Sequence, residues 1–139
     1  MTIETKIDKN NQIRISTVTG KLTFKDLISK LKEIYSDQVL CDLPYSIWDI
    51  RQADISSFTT VQIQTLAEFV AGNWGTEGRK KAAIVADKAL LYGLSRMYEK
   101  TLEFKTPSTT MVFHNYDEAL AWIKEGTLPS SLPGEIIIG

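Results

Sequence analysis

The sequence predicts an α/β domain whose sheet is largely parallel. Ala82-Ala83-Ile84-Val85-Ala86 is a continuous apolar run closed by Asp87, the pattern of a strand covered on both faces. Leu90, Leu91, Leu94, Met97, Tyr98 and Leu102 then recur at helical spacing. Asp87 is placed to accept hydrogen bonds from the first free N–H groups of that helix. The same strand-then-helix alternation runs along most of the chain, and such alternation builds parallel sheets with right-handed crossovers.

The elements follow in order. Ile3, Thr5 and Ile7 alternate with polar residues, as do Ile13 and Ile15, and Asn10-Asn11 lies between them. Asparagine tolerates the left-handed conformation of tight turns, so residues 2–18 read as a β-hairpin, broken at Thr19-Gly20. Thr23 caps a helix carrying Phe24, Leu27, Ile28, Leu31 and Ile34 on one face. A loop through Asp42 and Pro44, which also holds Cys41, leads to the third strand, Tyr45–Ile50. After Arg51–Phe58, Thr59 or Thr60 caps a helix with Ile63, Leu66, Ala67, Val70 and Trp74 inward; Gly72, Gly75 and Gly78 mark its end. The strand and helix of 82–102 come next, with Gly93 allowing close approach to a neighbour, and Pro107 closes that unit. Thr109–Phe113 is the last strand. Asn115 with Glu118 forms a capping box for a helix through Leu120, Trp122 and Ile123. The order is a hairpin followed by four strand–helix turns, one domain over residues 1–125.

Residues 126–139 differ in character. Pro129, Ser130, Ser131 and Pro133 discourage regular structure, yet Ile136-Ile137-Ile138 is too apolar to stand comfortably in water. Two readings stand: a tail pinned against its own domain, or a strand added to a partner's sheet edge, which makes the chain a homodimer.

Composition removes several function classes. With 16 basic and 17 acidic residues in 139, no basic face is expected, so nucleic acid is not an expected partner. Cys41 is the single cysteine, which rules out an internal disulfide and suits a reducing compartment. Met1–Lys6 lacks an apolar signal core and no run approaches membrane-spanning length, so the expectation is a cytoplasmic chain without membrane insertion. Metal-ligand spacing, a phosphate-cradling glycine loop and a GxSxG elbow are all absent, so neither metal nor cofactor is expected.

Trp48-Asp49-Ile50-Arg51, Ala83-Ile84-Val85-Ala86, Leu91-Tyr92-Gly93-Leu94-Ser95-Arg96-Met97-Tyr98-Glu99 and Val112–Trp122 together resemble the SpoIIAA-like, STAS-related bacterial proteins. The resemblance spans roughly residues 3–124, with Tyr-Gly-Leu-x-Arg-Met-Tyr its most specific segment. It implies a SpoIIAA-like mixed, mainly parallel sheet with the first strand antiparallel at an edge and four crossover helices largely on one face. Its structural relatives include anti-sigma-factor antagonists, regulatory domains of anion transporters and lipid carriers.

Three groups of residues are candidates for function. Open parallel sheets bind ligands beyond the carboxyl ends of their strands, where Asp49, Arg51, Asp87 and His114 fall. Asp49 and Arg51 share one side of a strand and can pair with each other. Tyr92 and Arg96 share a helical face with Glu99, either as an intrahelical pair or as an anion contact. The anti-sigma antagonists carry a phosphorylatable Ser in an Asp-Ser-Ser-Gly-like segment. Here that segment is Asp54-Ile55-Ser56-Ser57-Phe58-Thr59-Thr60, so the resemblance makes Ser56, Ser57, Thr59 and Thr60 phosphorylation candidates. Ile55 and Phe58 depart from that pattern.

The expectation is therefore a non-catalytic binding or regulatory module that recognises a protein partner or a small apolar or anionic ligand. Three alternatives carry distinct requirements. A phosphoswitch needs those hydroxyls exposed at a helix N-terminus. A lipid carrier needs an apolar cavity between helices and sheet. An enzyme needs Asp49, Arg51 and His114 converging around a cleft.

Overall fold

The computed structural model describes residues 2–74 (Trp74 by its backbone alone), 80–103 and 109–126. The elements run β1 (Thr2–Asp8), β2 (Ile13–Lys21), α1 (Phe24–Ser36), α2 (Gln38–Asp42), β3 (Tyr45–Asp54), α3 (Thr60–Trp74), β4 (Lys81–Val85), α4 (Ala89–Glu103), β5 (Thr109–Phe113) and α5 (Tyr116–Glu125). The five strands lie in sequence order, β1-β2-β3-β4-β5. β1 pairs antiparallel with β2, and every other pair is parallel.

Sequential right-handed crossovers put the intervening helices on one face of a sheet. α1, α3 and α4 share that face, packing Leu31, Ala67, Val70, Leu91 and Leu102 against Val18, Ile50, Ile84 and Val112. α5 follows the last strand and turns back over the opposite face. Ala119, Trp122 and Ile123 cover Ile13, Ile47, Ala83, Val85 and Phe113 there. The strands between the edges are therefore covered on both sides.

Local chemistry sets the boundaries. Thr23 Oγ1 accepts from the Asp26 N–H at 3.2 Å and opens α1. Thr59, not Thr60, caps α3: its Oγ1 accepts from the Gln62 N–H at 3.1 Å, and Gln62 Oε1 accepts from the Thr59 N–H at 3.0 Å. Asn115 Oδ1 accepts from the Glu118 N–H at 2.8 Å, and Gly126 ends α5 at φ 75° in the left-handed region.

Several expectations are corrected. The left-handed residue of the hairpin is Gln12 (φ 58°), because Asn11 is held by two hydrogen bonds to the Asp8 carboxylate. β2 continues through Thr19-Gly20 to Lys21, since a register shift between Thr17 and Thr19 and a positive φ at Gly20 absorb the irregularity within the strand. β3 runs on to Asp54 because that extension pairs with the end of β2. Cys41 lies in α2, which Asp37 caps, rather than in a loop. Gly75, Gly78, Pro107 and the 127–139 tail with Ile136–Ile138 lie outside the described residues, as does the Trp74 side chain.

α4 is rotated relative to its apolar stripe. Leu91, Ser95, Glu99 and Leu102 are buried, while Leu90 is 55% exposed. Asp87 does not cap it: the helix begins two residues later, the Lys88 carbonyl accepts the Tyr92 N–H, and no α4 N–H donates to the Asp87 carboxylate. Gly93 does not serve a close approach either, since a Cβ there meets open space. Gly93→Ala is therefore expected to stabilise the fold by about 0.5–1 kcal/mol through helix propensity alone, read as a higher urea midpoint.

Candidate functional site

The carboxyl-end rim is largely self-satisfied. Arg51 Nε and NH2 donate to the two Asp49 oxygens at 2.9 and 2.8 Å, and the Arg51 N–H donates to Oδ1 at 3.2 Å. These bonds hold the Asp49 carboxyl below its ordinary range against the opposing effect of burial. The Arg51 guanidinium is correspondingly raised, with Asp87 and Asp117 adding to the effect of Asp49. Lys88 Nζ donates to the Arg51 carbonyl at 2.6 Å. His114 stacks on the Tyr92 ring, centroids 4.1 Å apart. Among the described residues no hydrogen bond or ion pair joins His114 to Asp49 or Arg51, so the three do not form an acid–base constellation.

A depressed folded-state carboxyl pKa stabilises above the unfolded value of about 4 and loses that contribution as pH falls through the folded one. Asp49→Asn is thus expected to flatten the acid limb of the stability–pH profile below about pH 4, followed by thermal denaturation from pH 6 downward. An unchanged limb contradicts this reading of the pair.

Arg96 is also committed. Its NH1 donates to Glu99 Oε1 at 2.8 Å and Oε2 at 3.2 Å, which leaves Tyr92 against His114 rather than sharing an anion with Arg96. Burial nevertheless wins at Glu99, whose carboxyl is pushed up despite Arg96. Ser56, Ser57, Thr59 and Thr60 are exposed before and at the start of α3. Ser56 Oγ donates to Asp54 Oδ1 at 2.6 Å, Ser57 Oγ donates to the Leu22 carbonyl at 3.4 Å, and Thr59 is the cap. A phosphate on Ser56 would stand against the Asp54 carboxylate.

Two buried polar atoms without a partner, Arg14 Nε and Thr110 Oγ1, lie toward the other end of the strands. A cavity of about 110 Å³ sits between the sheet and the three helices. Leu27, Leu31 and Tyr35 of α1, Ile63, Leu66 and Val70 of α3, and Leu94, Ser95 and Tyr98 of α4 form its roof. Its floor includes Trp48, Ile50 and Ile84, together with Arg14, Ala82 and Thr110. Arg14, Ser46, Ala82 and Thr110 are successive partners in the parallel register, one row across four strands near their amino ends.

Arg14 is 6% exposed, and its Nε is buried with no hydrogen-bond partner; Thr110 Oγ1 is likewise buried and unpartnered. No carboxylate among the described residues lies within ion-pair distance of Arg14. Burial lowers its guanidinium, partly offset by Tyr35, Cys41 and Tyr98, but an arginine stays cationic in proteins. Burial also pushes the Tyr98 phenol far above its ordinary range, so it stays neutral. Beside Arg14 a second void of about 10 Å³ is lined by Tyr35, Leu43, Pro44, Tyr45, Ser46, Lys80 and Lys81. Lys80 Nζ is bound to the Cys41 carbonyl, and Lys81 Nζ lies 5.1 Å from the Trp122 ring centroid.

The architecture matches a solved structure, that of an uncharacterised protein of the DUF3478 family from Shewanella loihica PV-4 with a SpoIIAA-like fold. The TM-score is 0.54 with 19% identity, over 88% of this chain and 92% of that one. The chain has a SpoIIAA-like fold. No protein-family model and no curated protein matches the sequence. Among the described residues no helix is long and apolar enough to cross a membrane, and no cluster of His, Cys, Asp or Glu is disposed to hold a metal.

Within the SpoIIAA-like fold, Arg14 and Thr110 are the site residues that sequence reasoning missed. Ile13-Arg14-Ile15-Ser16 alternates like a half-exposed hairpin strand, which puts Arg14 and Ser16 toward water. The signal that exposes the error is topological. A central strand covered by helices on one face and by α5 on the other has no solvent side.

Proposed function

We propose that this SpoIIAA-like domain is a non-catalytic binding module that holds a small apolar ligand between its sheet and α1, α3 and α4. The cavity of about 110 Å³ carries this reading. Natural interiors seldom keep voids much larger than a water molecule. A dry engineered cavity of about 150 Å³ binds benzene. By that scale the ligand body here is about one ring or a short branched chain, and a long acyl chain is too large. The committed pairs Asp49–Arg51 and Arg96–Glu99 support a role for the interior rather than for the rim.

Toluene tests the reading. It is expected to bind saturably and raise the thermal midpoint of the wild-type protein by a few degrees. Ala82 lies in the cavity floor and is 5% exposed. Ala82→Leu fills the void, so it is expected to add about 0.5–2 kcal/mol of stability and to abolish the toluene effect. No toluene effect on the wild type, or an equal effect on both proteins, contradicts the proposal.

A further inference from the structure

The geometry points to a compact monocarboxylic acid as the ligand, its apolar body in the cavity and its carboxylate on the Arg14 guanidinium; this rests on the binding function proposed above.

A buried guanidinium is costly unless it is paired and hydrogen-bonded. Arg14 is nine-tenths buried, lines the cavity, and keeps an unpartnered Nε without a carboxylate in ion-pair range among the described residues. The charge that would complete it is therefore brought by what enters. The guanidinium fork matches the two oxygens of a carboxylate. The other polar groups lining this cavity, Ser95, Thr110, Tyr35 and the protonated Tyr98, are uncharged. One buried positive charge balances one negative charge. A phosphate monoester would carry a second, uncompensated charge into an apolar pocket, which disfavours it.

The rest of that strand row is neutral and small. Ser46 and Ala82 separate Arg14 from Thr110, three strand spacings or about 14 Å away across the sheet. That span, roofed by Leu31, Leu66 and Leu94, suits an apolar ring reaching away from Arg14. The Thr110 hydroxyl stands at the far end of the row.

Toluene, benzamide and benzoate share one ring and differ in polarity and charge, so they make the test. By calorimetric or NMR titration, wild-type protein is expected to bind benzoate about tenfold or more tighter than benzamide, the difference a hydrogen-bonded charge supplies. Arg14→Met is expected to lose that preference and to keep toluene binding, which also shows that the variant is folded. Benzoate no tighter than benzamide in the wild type, or a preference that survives in Arg14→Met, overturns the inference. The comparison within the wild type does not depend on the variant folding. Toluene binding without a benzoate preference removes the carboxylate and leaves the binding cavity. Failure of all three ligands removes both.

Discussion

Methionine in place of Arg14 is expected to stabilise the fold, by about 1–4 kcal/mol, while it destroys carboxylate recognition. Replacing a buried charge by an apolar side chain of similar reach removes a desolvation cost that its described neighbours offset only in part. Arg14 lies on a strand covered on both faces, its Nε has no partner, and no carboxylate among the described residues lies within ion-pair distance of it. A urea titration reads the effect as a higher midpoint at unchanged slope. Lower stability in the variant would mean that Arg14 is a structural group satisfied within the fold. Stability gained as binding is lost is the signature of a residue kept for function.

The largest loss of stability is expected at the opposite face. α5 is the helix that covers it among the described residues, and Trp122 is its central contact. The indole is 5% exposed, tilted at 45° against Phe113 with centroids 5.5 Å apart, and it receives Lys81 Nζ at 5.1 Å. Trp122→Ala removes this contact from above Ile47, Ala83 and Val85 and is expected to cost about 3–5 kcal/mol. Leu90→Ala, at an exposed position on α4, is the control and is expected to stay within about 0.5 kcal/mol of wild type. Both are read by denaturant titration. A Trp122→Ala variant as stable as the control would mean that α5 does not depend on this contact.

Much of this architecture was legible in the sequence because the strand and helix periods are strong and locally capped. Thr109–Phe113 matches its expected bounds, and Thr23 and Asn115 cap the helices they were expected to cap. Ile63, Leu66, Ala67 and Val70 form the buried stripe of α3 as read. Errors gathered where tertiary context overrides local pattern. Leu90 fits the helical stripe of α4, but the helix turns Ser95 and Glu99 inward instead. Asp87 has the chemistry of a cap and sits one position too early. At the rim, the period-two spacing puts Asp49 and Arg51 on one side of a strand, and they pair there. Arg14 was the least legible, because its burial comes from α1, α3 and α4 packing over its face of the sheet while α5 takes the Ile13 face, and from no feature of the hairpin itself.

The most direct measurement is the ¹⁵N–¹H resonance of the Arg14 Nε group during a benzoate titration, with toluene as the neutral control. Benzoate is predicted to shift that resonance saturably, in step with its binding isotherm, and toluene to leave it nearly unmoved. Benzoate binding that leaves the Arg14 Nε resonance unshifted would contradict the account.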